Sequence, residues 1–279
     1  MNKIIDKTRS FIFAKQTSMV SSALILSVMI ILARVFGFFR YRILSGLFTK
    51  EELDIFLASF KLPDLIFEIL ITGALTSSFI PIFIKYQDDK KELNKNISSI
   101  INVILLLMTV LILVLYMTLD KTIPLITPGF SKEKTETVIF FTRLLLLGQL
   151  PFMILGNFLT GIGQANKTFL LPSLAPVFYN LAIISGAILL TPSMHLLAPI
   201  IGVMFGSILF LLIQLPLLLN PNFIFQFVIK KTSGLIEFFR IVVPRAMTVI
   251  VAQIDATIDL VLTTLLGPGS YTVFYFAQH

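Results

Sequence analysis

The sequence predicts an all-α membrane protein that crosses the bilayer many times. Three observations carry this. Only 13% of the 279 residues are charged, whereas soluble domains carry about 25%. The chain is 56% hydrophobic with a mean hydropathy of +0.94. Helix breakers divide it into apolar runs of about twenty residues, the length a helix needs to cross the hydrocarbon core.

In chain order, spans are expected near 19–41, 53–84, 97–119, 137–160, 169–190, 196–219 and 240–266, with an eighth starting at Ser270. Lys3, Lys7, Arg9 and Lys15 precede the first run as in a secretory signal. No small-x-small exit follows, so a retained span is expected. Thr127-Pro128-Gly129, Gly161 to Asn166, Thr191-Pro192, Asn220-Pro221 and Gly267-Pro268-Gly269 supply stops between later spans. The expected organisation is a six-helix lobe at 1–219, a cytoplasmic connector at 220–239 and the start of a second lobe at 240–279. Ser270–His279 is half a span, which cannot satisfy its backbone alone, so a chain missing its own C-terminal half is expected.

Loop charges orient the spans. The N-terminus carries four basic residues, Lys85, Lys90, Lys91 and Lys95 follow the second span, Lys167 the fourth, and Lys230, Lys231 and Arg240 flank the sixth-to-seventh connection. The alternate loops mix Lys50, Lys121, Lys132 and Lys134 with acidic residues. This bias predicts a cytoplasmic N-terminus. It also accounts for the net charge of +7 without nucleic acid, because the basic residues form no soluble stripe. Without cysteine, disulfides, thiolate metal sites and cysteine nucleophiles are excluded, and the two histidines, His195 and His279, have no metal-ligand neighbours.

Three arginines interrupt the first apolar run: Arg34, Arg40 and Arg42. One arginine at mid-bilayer costs roughly 3 kcal/mol, so three imply an anionic ligand in a watery cavity. Arg34 and Arg40 lie about 120° apart on an ideal helix, and Arg42 about 80° from Arg34. Gly37 between them offers a hinge or a close helix contact. The plainer alternative is a span ending near Leu32 with the arginines snorkelling outward. In the second span Asp54, Lys61 and Glu68 recur every seven residues, and Asp64, Glu68 and Thr72 every four, so they share a stripe. The stripe either faces the arginines across the cavity or locks helices together. In the seventh span Asp255 and Asp259 sit one turn apart, flanked by Thr248 and Thr263. They form a candidate cation site for sodium or protons, or a structural pair near Arg245. Asn157, Asn180 and Gln214 fit interhelical hydrogen bonding.

The series ARVFGFFRYRILSGLF, LDIFLASFKLPDLI and TGALTSSFIPIF, continued by ITPGF, LPSLAPVFYNLAII, QLP and VAQI, resembles the MurJ (MviN) family of lipid II flippases. That family lies in the multidrug/oligosaccharidyl-lipid/polysaccharide exporter superfamily. The resemblance implies the N-terminal lobe of a two-lobe, MATE-like transporter of the bacterial plasma membrane. It implies transfer of lipid II, the lipid-linked peptidoglycan precursor, between leaflets by alternating access through an arginine-lined cavity, without catalysis or a resident cofactor. Arg34 and Arg40 match the family's essential first-span arginines, Asp54 its second-span aspartate, and His279 the position of a cavity arginine in the eighth span. Phe67 and Glu68 stand where members often carry basic residues, Thr72 where glutamate is common, and Tyr41 replaces the aspartate that usually follows Arg40. These departures leave open an exporter of another polyprenyl-pyrophosphate-linked saccharide, or a non-transporting membrane scaffold. A magnesium-dependent prenyltransferase is disfavoured, because Asp255 and Asp259 have no matching motif in another span.

Overall fold

A computed structural model describes residues 19–69, 78–219 and 223–278, which form ten α-helices. Helix α1 (Met19–Leu47) runs unbroken through Gly37 and all three arginines. Helix α2 (Lys50–Phe67) starts at a capping box: Thr49 Oγ1 accepts the Glu52 N–H, and the Glu52 carboxylate accepts the Thr49 N–H at 2.8 Å. It passes through Pro63 and widens into a π-turn at residues 68–69. Helix α3 (Ile80–Tyr86) follows, with Pro81 in its first turn.

Helix α4 (Lys90–Ile126) is capped by Asp89, which accepts the N–H groups of Lys91 and Glu92. Its 37 residues make it about 55 Å long, well beyond the hydrocarbon core. The expected fourth span is two helices, α5 (Lys132–Gly148) and α6 (Leu150–Ala165), broken at Gln149. Pro151 lacks the N–H that would continue the ladder, and it starts α6 instead. Helices α7 (Leu170–Met194) and α8 (Leu197–Gln214) follow, and α8 tightens into a 3₁₀ turn at Leu215–Leu219 around Pro216. Helix α9 (Ser233–Leu265) begins seven residues before the expected seventh span, because Thr232 caps it by accepting the Leu235 N–H. Helix α10 (Ser270–Gln278) ends the described chain. Among the described residues, four stretches, 90–126, 132–165, 170–194 and 197–219, are long and apolar enough to cross a membrane.

Close packing centres on α7 and α8. A Cβ at Gly186 would lie 2.6 Å from Gly202 Cα, and one at Gly206 2.9 Å from the Tyr179 carbonyl oxygen. In lipid, where apolar surfaces gain little by hiding from each other, such small-residue seams let dispersion hold helices together. Gly202→Leu is therefore expected to cost about 1–3 kcal/mol by overpacking. Gly46→Leu, placed in open space, should cost much less. Thermal melting in detergent checks both.

Residues 223–232 form no regular element, yet their backbone is satisfied by side chains of α4. Asn94 Oδ1 accepts the Ile224 N–H (2.9 Å), and Ser98 Oγ accepts the Gln226 N–H (2.9 Å). Asn102 Nδ2 donates to the carbonyls of Gln226 (2.8 Å) and Val228 (3.1 Å). Ser99 Oγ donates to the Lys230 carbonyl (2.6 Å). A polar ladder on α4 thus straps the connector in place, and Asn96 extends it by accepting the Gly234 N–H at 2.8 Å. Beside the strap, Lys85 of α3 pairs with Glu237 of α9 at 2.6 Å, and this hydrogen bond raises the Lys85 ammonium above its ordinary pKa.

Candidate functional site: a charged cavity

Helices α1, α2, α7, α9 and α10 surround a cavity of about 390 Å³. Its charged lining among the described residues is Arg40, Lys61, Asp64, Glu68 and Asp259. Two cations thus face three carboxylates, so the arginine-lined cavity expected from the sequence is a mixed-charge one.

Arg40 is held from two sides. Its Nη1 donates to Asn180 Oδ1 at 3.0 Å, and its guanidinium carbon lies 4.4 Å from the centroid of the Tyr41 ring. Asn180 in turn donates to the carbonyls of Ala33 (3.3 Å) and Pro176 (3.1 Å), which ties α7 to α1. The Arg40 Nε is buried without a hydrogen-bond partner, so the side chain reaches the cavity through the rest of its planar fork. Lys61, buried on α2, donates to Gln253 Oε1 at 3.2 Å, while Gln253 Nε2 donates to Glu68. This glutamine bridges an ammonium and a carboxylate of the same helix and fixes α2 against α9. Asp259 accepts from Gln278 of α10 at 3.5 Å, and Tyr41 and Tyr275 share a hydroxyl contact at 3.1 Å.

Of the residues singled out in the sequence, Arg40, Lys61, Asp64, Glu68 and Asp259 meet in this cavity. Arg34 and Arg42 are exposed on other faces of α1 and do not line it, as the helical spacing requires of an unbroken helix. Gly37 makes neither a break nor a close contact here; a Cβ added to it would meet open space. Asp255 is exposed and outside the cavity, so the Asp255–Asp259 pair does not converge on it. No cluster of three acidic or histidine side chains among the described residues is arranged to hold a metal. Thr72 and His279 lie outside the described residues.

Asp54 has a different position. Its side chain is buried, and its oxygens accept the N–H of Gly269 (2.5 Å), the N–H of Thr272 (2.7 Å) and the Thr272 hydroxyl (2.7 Å). The carboxylate of α2 therefore caps the N-terminus of α10, where the helix dipole also favours a negative charge.

The reading of sequence patterns missed the tyrosines. Tyr41, Tyr179, Tyr271 and Tyr275 all line the cavity. The signal was their phenolic groups inside apolar spans, where a hydroxyl needs a partner.

The described residues thus form a bundle of long apolar helices around a charged cavity, the architecture of a polytopic membrane protein. The profile of the lipid II flippase MurJ family matches residues 43–279, and the chain belongs to that family. It is 28% identical over 268 residues to a probable lipid II flippase MurJ of Buchnera aphidicola from Acyrthosiphon pisum, covering 90% of this chain and 51% of the relative. Among solved structures, an inward closed conformation of lipid II flippase MurJ superposes with a TM-score of 0.77 at 24% identity, over 91% of this chain and 54% of the other. A MOP-superfamily transporter from Pyrococcus furiosus superposes with a TM-score of 0.64 at 15% identity, over 93% and 58%. The chain thus spans about half the length of the curated relative and structures it matches. It has the fold of an N-terminal lobe with the start of a second, in a multi-pass membrane protein.

Proposed function

We propose that this chain forms the first half of a flippase that carries a polyprenyl-pyrophosphate-linked saccharide, lipid II or a close analogue, from the cytoplasmic to the outer leaflet of the bacterial plasma membrane. The observation that carries the proposal is Arg40: a guanidinium oriented by Asn180 on the wall of a cavity between lobe and second-lobe helices. A pyrophosphate is poorly solvated by lipid and matches a planar fork. Lys61 adds a second positive charge on the opposite helix. Rocking of the lobes then exposes the cavity to either side, with no bond made or broken. In this reading a sodium ion or a proton acts at Asp259, the α9 carboxylate that reaches the cavity. Bilayer lipid holds the polyprenyl tail outside it.

Mass spectrometry of lipid co-purified with the protein, as its host makes it, tests the cargo. A polyprenyl-pyrophosphate saccharide that disappears in Arg40→Ala supports the reading. A purified protein that binds neither lipid II nor a related polyprenyl pyrophosphate would favour the scaffold alternative.

Orientation is tested separately. With a cytoplasmic N-terminus, cysteines replacing the exposed Asp88 and Ser193 should react with impermeant maleimide from opposite sides, Ser193 from outside. Reaction of both from one side would overturn this topology.

A further inference from the structure

We propose that the strap at residues 223–232 is a binding site for anionic phospholipid at the membrane interface. Its inner edge is consumed by the α4 ladder, so its outward side chains are held in place rather than free to fold away. Phe227 is 94% exposed, Ile224 64% and Ile229 65%, an apolar display that water does not favour. Lys230 and Lys231 follow it directly, both exposed and without an ion pair among the described residues.

Depth decides what covers this surface. Asn102, which holds Gln226 and Val228, lies one helical turn, about 6 Å, before Leu106. From Leu106 to Met117 the outer face of α4 is exposed and apolar, a lipid-facing belt. Ser99, which holds Lys230, lies about 10 Å from Leu106 along the same axis. The headgroup region outside the hydrocarbon is about 5–7 Å deep on each side. The strap therefore crosses that layer, with Phe227 next to the acyl boundary and the lysines at the phosphates. A second copy docked on this face would set the same lysines against each other, whereas an anionic lipid surface complements them. Aromatic and basic side chains at these two depths are the usual pairing for an interfacial anchor. Because the strap joins α8 to α9, the bound lipid would sit on the link between the lobes.

Each lysine near an anionic surface contributes about fivefold in affinity, so the pair should contribute roughly 25-fold. The test uses the protein as its host makes it, purified and titrated with phosphatidylglycerol against phosphatidylcholine in native mass spectrometry. Lys230→Gln with Lys231→Gln should lose most of the preference for phosphatidylglycerol, while Lys132→Gln, far along the chain in α5, should keep it. Equal preference in the double variant and the parent would overturn the proposal. The chain contains no tryptophan, so Phe227→Trp supplies a local probe read as a difference from the parent. In phosphatidylglycerol bilayers its emission should be quenched by lipid brominated high on the acyl chain. Quenching by aqueous iodide instead, or burial that rises with protein concentration, would assign the surface to water or to a second copy.

Discussion

Arg40→Ala is expected to lower cargo binding roughly ten- to a hundredfold, since each charge-assisted hydrogen bond is worth about 1.5–3 kcal/mol. The loss should not be recovered by charge alone. In Arg40→Lys the ammonium cannot reproduce the planar fork that Asn180 orients, nor its contact over the Tyr41 ring. Arg143 provides the control. It pairs with Asp120 at 2.7 Å away from the cavity, so Arg143→Lys should leave binding and transport within about twofold, as for other exposed pairs. Native mass spectrometry with a polyprenyl pyrophosphate reads binding, and rescue of flippase-depleted cells reads transport. Arg34→Ala adds a conformational measurement. If it is as damaging as Arg40→Ala, the transport cycle must turn another face of α1 toward the cargo. Normal binding and transport in Arg40→Ala would remove the cavity from the mechanism.

Asp54→Ala should destabilise the junction between the lobes by several kcal/mol without touching the cavity lining. Three donors lose one buried carboxyl acceptor at once, and each such bond contributes about 1.5–3 kcal/mol. Asp54→Asn keeps one acceptor oxygen but loses the charge that complements the α10 dipole, so it should fall between. Limited proteolysis at Gly267–Gly269, together with the melting temperature, measures the loss. A variant with unchanged stability and lost cargo binding would return Asp54 to the substrate-contacting role that family resemblance implies.

Much of the fold was legible because hydropathy and helix breakers act locally. The stops at Thr127-Pro128-Gly129 and Gly267-Pro268-Gly269 fall between helices in the structure. What was not legible depends on neighbours. The break at Gln149 lies inside an apolar run that reads as one span. The α9 start depends on a cap at Thr232 within a stretch that reads as a loop. For the site, the seven-residue spacing of Lys61 and Glu68 correctly placed both on one stripe, but the same spacing included Asp54. That residue lies two turns earlier, at the level of another helix's N-terminus, and only three-dimensional packing separates the two roles. Composition likewise showed three arginines, while helical angle decided that one of them reaches the cavity.

The Asp54 cap also sets a timetable for biogenesis. Its donor partner Gly269 is 215 residues further along the chain. A ribosome adding about 5–20 residues per second needs roughly 10–40 s to make that stretch. During this interval α2 has left the ribosome with a carboxylate that has no native partner. At the entry of α2 the carboxylate must be served by water or take up a proton until α10 emerges. The order of synthesis thus makes this acceptor early and its three donors late, so the native cap closes only once α10 has been made.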